Sequence, residues 1–123
     1  MRYAIEGDPI WLAVCHCTEC QRQSGSAFGM SLGVSAESFR ILQGAVKKFT
    51  RSSDSGRSIA CAFCPECGTR LFHEPAYAPG AVNVKPGTLD DTSWLRPMAH
   101  AWTSSKQPWV PIPEGVPCFE KQP

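Results

Sequence analysis

The sequence predicts a mainly β protein of one domain. A chain of 123 residues has the commonest length of a single domain. Its eleven prolines and ten glycines disfavour long helices, because proline removes an amide donor and glycine costs backbone entropy in a helix. Short apolar or alternating stretches recur between turn residues, which is typical of short strands. We therefore expect one core, residues 1–123, built from strands joined by turns.

The first half of the chain predicts three strands and little helix. Residues 2–6 and 10–14 predict two strands joined by a tight turn. Residues 17–24 are polar and lack an apolar stripe, so at most a single helical turn is expected there. Residues 28–34 predict a strand. Residues 36–39 predict a brief helical turn, after which Phe39, Ile41 and Leu42 are expected to return to the core.

The second half predicts further short strands separated by turns. They are expected at residues 46–51, 59–63, 69–73, 81–84 and 98–103. Residues 52–56 have the composition of a turn, and residues 90–94 predict a short helical turn. Five prolines follow from residue 107 onward, so residues 107–123 predict an extended tail, pinned by Trp109 and Phe119.

Charge and hydropathy exclude several classes of function. The formal net charge is +1, with both signs mixed along the chain, so no electrostatic footprint for nucleic acid or an acidic membrane is visible. The basic cluster of Lys47, Lys48, Arg51 and Arg57 is explained by a solvated strand edge. The start lacks a secretory signal and no apolar run approaches about 20 residues, so we expect a cytoplasmic protein.

Three cysteines near the start are the strongest candidate for a working site. Cys15, Cys17 and Cys20 lie within six residues, and seven cysteines in all form an odd set that favours metal ligation over disulfides. Three protein ligands plus one further position is the pattern of catalytic zinc. Such a position accepts a small thiol or a carbonyl oxygen. Because three thiolates weaken the metal as an electrophile, we expect it to present a thiolate rather than polarise a carbonyl.

A second cysteine pair has the spacing of a zinc knuckle. Cys64 and Cys67 are separated by Pro65-Glu66 and followed by Gly68, which can take positive φ. A closed structural site needs four ligands, and this pair supplies two. Cys61, Cys118 and the histidines stay open as partners, although Cys61 is three residues before Cys64 on a strand and points to the opposite face. A redox pair or two reduced thiols are the alternatives.

Polar residues after the first cluster are candidates for substrate binding. Arg22 and the segment Ser24, Gly25 and Ser26 can offset the thiolate charge or hold an anionic substrate. A solvated arginine and a polar turn explain them equally well. His16 is expected to be exposed, with a fourth ligand or a general base as alternatives.

The remaining histidines and tryptophans are expected to be structural. His73 and His100 lie on strand-like segments, where a packed, hydrogen-bonded histidine is favoured over a ligand. Trp94, Trp102 and Trp109 are expected in the core, with the lining of a pocket as the alternative.

The motifs together resemble those of the glutathione-dependent formaldehyde-activating family, which includes centromere protein V. The residues that carry the resemblance are Cys15-His16-Cys17-x-x-Cys20-Gln21-Arg22-Gln23-Ser24-Gly25-Ser26-Ala27-Phe28, Phe63-Cys64-Pro65-Glu66-Cys67-Gly68, Gly87-Thr88-Leu89-Asp90-Asp91, His100-Ala101-Trp102 and Pro108-Trp109. The resemblance implies small twisted antiparallel sheets folded like a tent, with two zinc sites. It implies catalytic zinc at Cys15, Cys17 and Cys20, and half of a structural zinc site at Cys64 and Cys67.

One departure from the family concerns the second zinc site. The resemblance implies a Gly-x-Cys-x-Cys-Gly motif before the segment of Arg2 and Tyr3, and the sequence begins at Met1 without it. We expect a truncated start. Cys64 and Cys67 then bind no metal, form a disulfide or recruit another ligand.

The resemblance implies a zinc-dependent carbon-sulfur lyase. Its substrates would be a thiol such as glutathione and formaldehyde or another small aldehyde, joined into or released from an adduct. The alternative is a zinc-stabilised binding module for a protein or small metabolite, without turnover. The sequence does not determine the oligomeric state, and a homo-oligomer is one of the alternatives.

Overall fold

A computed structural model describes residues 1–52, 56–75 and 78–122. Along these residues the strands are β1 (Arg2–Ile5), β2 (Trp11–Cys15), β3 (Gly29–Ser35), β4 (Phe39–Gln43), β5 (Lys47–Ser52), β6 (Ser58–Phe63), β7 (Arg70–Glu74), β8 (Ala81–Val84) and β9 (Ala99–Ala101), and the α-helix is α1 (Thr18–Ser24). Short 3-10 helices lie at Ala36–Ser38, Pro86–Thr88 and Thr103–Ser105. The mainly β class is confirmed. None of the helices described is long and apolar enough to cross a membrane.

The chain divides into two compact units. One comprises Met1–Ile10 and Leu32–Thr88, and the other comprises Trp11–Ser31 and Leu89–Pro123. The chain passes from the second unit into the first within β3. The expectation of a single domain over residues 1–123 stays a prediction.

The strand pairs described within the first unit are all antiparallel. β1 pairs with β4, and a larger sheet has the order β5-β6-β7-β8-β3. Val34 and Val84 at its centre are fully buried. Aromatic rings join the elements, since the Phe39 ring lies 5.3 Å from that of Tyr3 and 4.8 Å from that of Phe72. These packed rings and β-branched residues supply the apolar burial that holds the unit together.

The second unit contains a parallel pair. β2 runs parallel to β9, with Val14 opposite His100 and Cys15 opposite Ala101. The tail continues this pairing, because the amide of Phe119 donates to the His100 carbonyl at 2.9 Å and the amide of His100 donates to Pro117 at 3.0 Å. Parallel strands need a long connection between them. The long connection between β2 and β9 can therefore hold a site directly after β2 while the two strands stay paired.

Several sequence predictions of local structure are confirmed. The strand at Ala81–Val84 has the predicted bounds, and the hairpin of β6 and β7 flanks the second cysteine pair as expected. The brief helical turn after β3 is present at Ala36–Ser38. The predicted turn at residues 52–56 falls mostly on residues 53–55, which lie outside the described residues.

Other predictions are wrong in instructive ways. The helix after the first cysteines covers Thr18–Ser24, more than the single turn expected, because a cysteine side chain caps it and Gly25 ends it at φ 62°. Ile41 and Leu42 are 38% and 58% exposed, since β1 is the single sheet partner of β4 among the described strands. The segment 90–94 is a turn, not helix, and the last strand covers only Ala99–Ala101.

The tail is held differently from the prediction. Trp109 is 69% exposed and Phe119 37% exposed, so neither ring anchors the tail in a core. Backbone hydrogen bonds at Pro117 and Phe119 and the buried side chain of Val110 do so instead. An extended segment with many prolines is thus fixed by its few remaining amides and one apolar side chain.

Candidate metal centre

The three predicted ligands converge at the junction of β2 and α1. Cys15 is the last residue of β2, Cys17 is the N-cap of α1, and Cys20 lies in the helix. Their sulfur atoms all lie within 4.8 Å of one another, and this is the one group of three or more candidate ligands found among the described residues. The strand end delivers one thiol and the first helical turn the other two, since residues three apart share a helix face.

The cysteines also build the local structure. The Cys17 sulfur accepts a hydrogen bond from the backbone amide of Cys20 at 3.3 Å, in place of the usual oxygen cap. The same contact therefore begins the helix and fixes the position of the Cys17 sulfur.

Gly29 provides the space behind Cys20. A Cβ atom at Gly29 would lie 3.2 Å from the Cys20 Cβ and 3.5 Å from its sulfur. This is tighter than ordinary packing, so a side chain at Gly29 would displace Cys20 or the strand. The first residue of β3 is thus glycine, because the Cys20 side chain occupies the space that a side chain at position 29 would need.

Electrostatics explain why this cluster suits a cation. The pKa of Cys15 is raised far above its ordinary value, first by hydrogen bonds with the Cys17 and Cys20 thiols, then by burial and by their charge. Three thiolates in one partly buried place repel one another unless a positive charge compensates them. Sulfur donors of this number suit a thiophilic divalent metal. The residues present therefore fit a metal ion.

A buried histidine pair lies beside the turn that carries Cys15 and Cys17. His16 is 0% exposed, and its Nε2 lies 2.9 Å from the Nδ1 of His100, with the rings stacked at 5.2 Å. The ring of Phe28 lies edge-on to His16 at 5.6 Å. The expectation that His16 is exposed is wrong, and the packed, hydrogen-bonded state expected for His100 is confirmed.

The pair shares one hydrogen bond between two ring nitrogens, so one ring donates and the other accepts. Burial lowers the pKa of both rings, and the charges of His100 and Lys106 lower that of His16 further. Both histidines are therefore held neutral at physiological pH. Through its buried hydrogen bond with His100, the His16 side chain anchors the backbone between Cys15 and Cys17.

Gln21 is a site residue that sequence reasoning missed. Its Nε2 donates to the His16 carbonyl at 2.8 Å and to the Ser105 carbonyl at 3.0 Å. It therefore fastens the turn between two ligands to the 3-10 helix after β9. The signals in the sequence were its position directly after Cys20 and its place in the family motif, because partners 84 residues apart leave no local pattern.

The predicted substrate-binding residues line an open cleft. The cleft has a volume of about 490 Å³ and is lined by Gln21, Arg22, Gly25, Ser26, Ala27, Gln107 and Trp109. Ser24 has a different role, because its hydroxyl lies 3.3 Å from the Gln21 carbonyl and 3.1 Å from the Phe28 carbonyl and closes the end of α1. Arg22, Gly25 and Ser26 are thus brought together as predicted, while Ser24 supports them.

The expectation for the tryptophans is wrong for two of them. Trp94 is 47% exposed and Trp109 is 69% exposed, so neither is a core residue. Trp102 is half-buried and has a φ of 58°, a left-handed conformation that no other non-glycine residue among those described adopts. The Ser105 amide donates to the Trp102 carbonyl at 3.1 Å, and this turn sets the position of the Ser105 carbonyl that Gln21 binds.

The second cysteine pair lies on the turn between β6 and β7. Gly68 has a φ of 78° and its amide donates to the Cys64 carbonyl at 2.8 Å. The exposed Cys67 lies 3.1 Å from the Thr69 hydroxyl, and hydrogen bonds from Thr69 and then Cys64 lower the pKa of Cys67. Within the described ranges no third ligand joins Cys64 and Cys67. Zinc at this pair stays a prediction.

Comparison with known proteins decides the family. The family model described as glutathione-dependent formaldehyde-activating enzyme matches residues 1–105. This chain belongs to that family.

One solved structure is similar in fold to this member of the glutathione-dependent formaldehyde-activating family. It is the crystal structure of a Rhodobacter sphaeroides protein, with a TM-score of 0.55 and 18% identity, over 72% of this chain and 78% of that chain. At that identity the likeness concerns the fold alone. No curated protein matches the chain significantly.

Proposed function

We propose that this protein is a zinc-dependent carbon-sulfur lyase that acts on the adduct of a glutathione-like thiol with formaldehyde or another small aldehyde. The observation that carries the proposal is the group of three sulfurs within 4.8 Å of one another. Three is one fewer than the four ligands that zinc takes. Family membership indicates the thiol and aldehyde chemistry.

Cys15, Cys17 and Cys20 would hold the zinc. When bound, zinc would supply the positive charge that stabilises a substrate thiolate at neutral pH. The chain's own contribution is to hold the three sulfurs together, with Cys17 fixed by the Cys20 amide and Cys20 seated against Gly29. This arrangement is preorganised, because backbone contacts set it before any ligand arrives.

The reaction itself is a reversible addition. The sulfur electron pair of the thiol forms a bond to the aldehyde carbon, the C=O π pair moves to oxygen, and that oxygen takes up the proton the thiol has lost. In the lyase direction the C–S bond breaks and the carbonyl is restored. Neither direction needs an oxidant or a reductant.

Arg22 is the residue we assign to substrate orientation. Its guanidinium is largely exposed on the cleft and its contact with Glu19 is long, at 3.5 Å. A surface pair of this kind is weak, so a substrate carboxylate can take over the guanidinium in bidentate geometry. His16 receives no proton-transfer role, because it is fully buried and bonded to His100.

A reducing compartment suits this chemistry. All seven cysteines are free in the structure, and three thiolate ligands require protection from oxidation. We therefore place the protein in the cytoplasm, with glutathione as the small-molecule partner.

The test uses zinc-loaded protein at equilibrium. Carbon-13 formaldehyde and glutathione are mixed, and exchange between free and adduct carbon is followed by NMR with and without enzyme. We expect wild type to accelerate exchange, and Cys17→Ala, which lacks one ligand and the helix cap, to fall to the uncatalysed rate. Cys118→Ala is the matched control, since Cys118 is exposed, lies outside the cysteine cluster and donates its thiol to the Val116 carbonyl at 3.4 Å.

Two outcomes would count against the proposal. Exchange equal to the uncatalysed rate with wild type, together with tight glutathione binding, would favour the non-catalytic binding module. Equal acceleration by wild type and Cys17→Ala would place the chemistry outside the cysteine cluster.

A further inference from the structure

Strand β5 forms an open edge of the larger sheet. Among the described strands only β6 pairs with it, and this pairing runs along all six of its residues. Five of the six residues are exposed, and Arg51 is half-buried. A strand in this position presents backbone N–H and C=O groups along its outer side, to which another extended chain can add. The edge has the usual length of a strand, so it is long enough to hold a partner.

The two faces of β5 differ in how their charges are compensated. Successive side chains of a strand point to opposite faces, so Lys47, Phe49 and Arg51 share one face. Lys48 lies on the other face, where its ammonium donates to the Glu74 carboxylate at 2.7 Å. The charge on the face of Lys48 is therefore compensated by the protein itself.

The Arg51 guanidinium on the first face has poor acceptors. Its Nη1 reaches the Ser52 carbonyl at 3.5 Å, which is at the limit of a hydrogen bond. Its Nε is buried and meets no acceptor within the described residues. A charged donor in this state is costly, and a carboxylate can satisfy two guanidinium N–H groups at once. This side chain is thus suited to an incoming anion.

The neighbours of Arg51 on this face extend the surface. Phe49 is 46% exposed, although its ring is large and apolar. Lys47 lies beyond it and is exposed as well. The face therefore presents a cation, an apolar ring and a second cation at intervals of two residues.

The charges of β5 disfavour a second copy of this strand as the partner. Antiparallel self-pairing centred on Phe49 would place Lys47 opposite Arg51. The register that aligns Phe49 with Thr50 would place Lys48 opposite Arg51. Like charges directly opposite each other destabilise a sheet. The same charges reject basic strands and so select for an acidic one.

We infer that β5 is a docking strand for an extended acidic peptide with the pattern acidic-x-apolar-x-acidic. Alternate residues of such a peptide share one face, so its carboxylates lie opposite Lys47 and Arg51 and its apolar residue lies opposite Phe49. Main-chain hydrogen bonds supply the affinity and the side chains supply the specificity. The surface belongs to the first unit and the three-cysteine cluster to the second, so the inference is independent of the proposed lyase activity.

Two labelled peptides of identical composition test the side-chain pattern. In Glu-Thr-Val-Thr-Glu both acids share a face with valine, whereas in Thr-Glu-Val-Glu-Thr they lie on the opposite face. Both peptides have blocked ends, and full-length zinc-loaded protein is titrated into each while fluorescence anisotropy is recorded. We expect the first peptide to bind about tenfold more tightly than the second. Equal affinities, or no binding of either peptide, would overturn the inference.

N-methylated peptides test whether the backbone pairs. Methyl groups on the two threonine amides block one edge of Glu-Thr-Val-Thr-Glu, and methyl groups on the other three amides block the opposite edge. We expect at least one of these two peptides to lose binding. Full binding of both would show that the contact is electrostatic alone and that no strand is added.

Variants of the protein locate the contact. Arg51→Gln and Phe49→Ala should each weaken the first peptide several-fold. Arg40→Gln is the matched control, because it removes an exposed arginine of β4 that pairs with Glu6 at 2.8 Å, and it should leave binding unchanged. The double variant Lys47→Glu/Arg51→Glu should reject the acidic peptide and bind Lys-Thr-Val-Thr-Lys instead. Circular dichroism checks that each variant is folded, and unchanged affinity in folded Arg51→Gln contradicts the inference.

Two other occupants of the edge are outcomes of the same set of proteins. A wild-type dimer in sedimentation equilibrium that is lost in Phe49→Ala would assign the edge to a second copy. A single-stranded oligonucleotide that binds more tightly than the first peptide, and not to Arg51→Gln, would assign it to nucleic acid. Either result would replace the acidic peptide as the partner.

Discussion

At the scale of single residues, the candidate metal site depends on how closely Gly29 approaches Cys20. The site needs three sulfurs in one small volume, and a side chain at Gly29 would occupy space that Cys20 now fills. A glycine outside the cysteine motif is therefore part of the ligand geometry. Close packing transmits such a displacement because there is little free space to absorb it.

We predict that Gly29→Ala weakens metal binding. The added methyl group would lie 3.2 Å from the Cys20 Cβ, an overpacking that costs about 1–3 kcal/mol. Competition with a chromophoric chelator measures the metal affinity of each variant. Gly87→Ala is the matched control, because a Cβ there meets nothing within 4 Å. Equal affinities for the two variants would show that Gly29 does not set the position of Cys20.

At the scale of elements, the parallel pair of β2 and β9 is the base on which the site is built. Cys15 lies opposite Ala101, and the His16 amide donates to the Ala101 carbonyl at 3.0 Å. The side chains of His16 and His100 also share a hydrogen bond, so the two segments are joined through side chains as well as through the backbone. The position of the candidate metal site thus follows from a strand pair whose partners lie far apart in sequence.

The histidine pair predicts a loss of stability in mild acid. Burial lowers the pKa of His100 from its ordinary 6.5, so the stability it contributes is complete above pH 6.5. Below that pH the unfolded chain takes up a proton that the folded chain does not, and stability falls until the folded pKa is passed. The slope from one such group is at most about 1.4 kcal/mol per pH unit.

Urea unfolding of metal-loaded wild type and His100→Gln between pH 5 and 7.5 tests this prediction. The variant should be less stable at pH 7.5, because a buried hydrogen bond is lost, but its stability should fall less steeply below pH 6.5. Cys15, Cys17 and Cys20 are present in both proteins, so the difference in slope isolates the histidines. Parallel curves would show that the pair does not resist protonation.

At the scale of the whole molecule, the strands were the part most readily predicted from sequence. The strand at Ala81–Val84 is bounded by Pro-Gly pairs, and those local signals determine its ends. The cysteine cluster was equally local, since its three ligands lie within six residues. The helix α1 was underestimated because it buries only Cys20 and so has no apolar stripe.

Features that depend on distant pairing could not be predicted. Nothing near Gln21 or Gln107 indicates that their amides meet across 86 residues. The burial of His16 similarly depends on His100, 84 residues away. Side chains that join distant segments are determined by topology, and the parallel pairing of β2 with β9 has no signature in either strand.

The central claim is that Cys15, Cys17 and Cys20 hold one metal ion whose remaining position accepts a substrate thiol. The most direct measurement is the absorption spectrum of the protein loaded with one equivalent of Co2+, recorded before and after addition of glutathione, with Cys17→Ala as the control. We predict a tetrahedral spectrum with three thiolates that gains sulfur-to-metal charge transfer when glutathione binds, and loss of this spectrum in Cys17→Ala. A spectrum that glutathione leaves unchanged, or one that survives in Cys17→Ala, would contradict the claim.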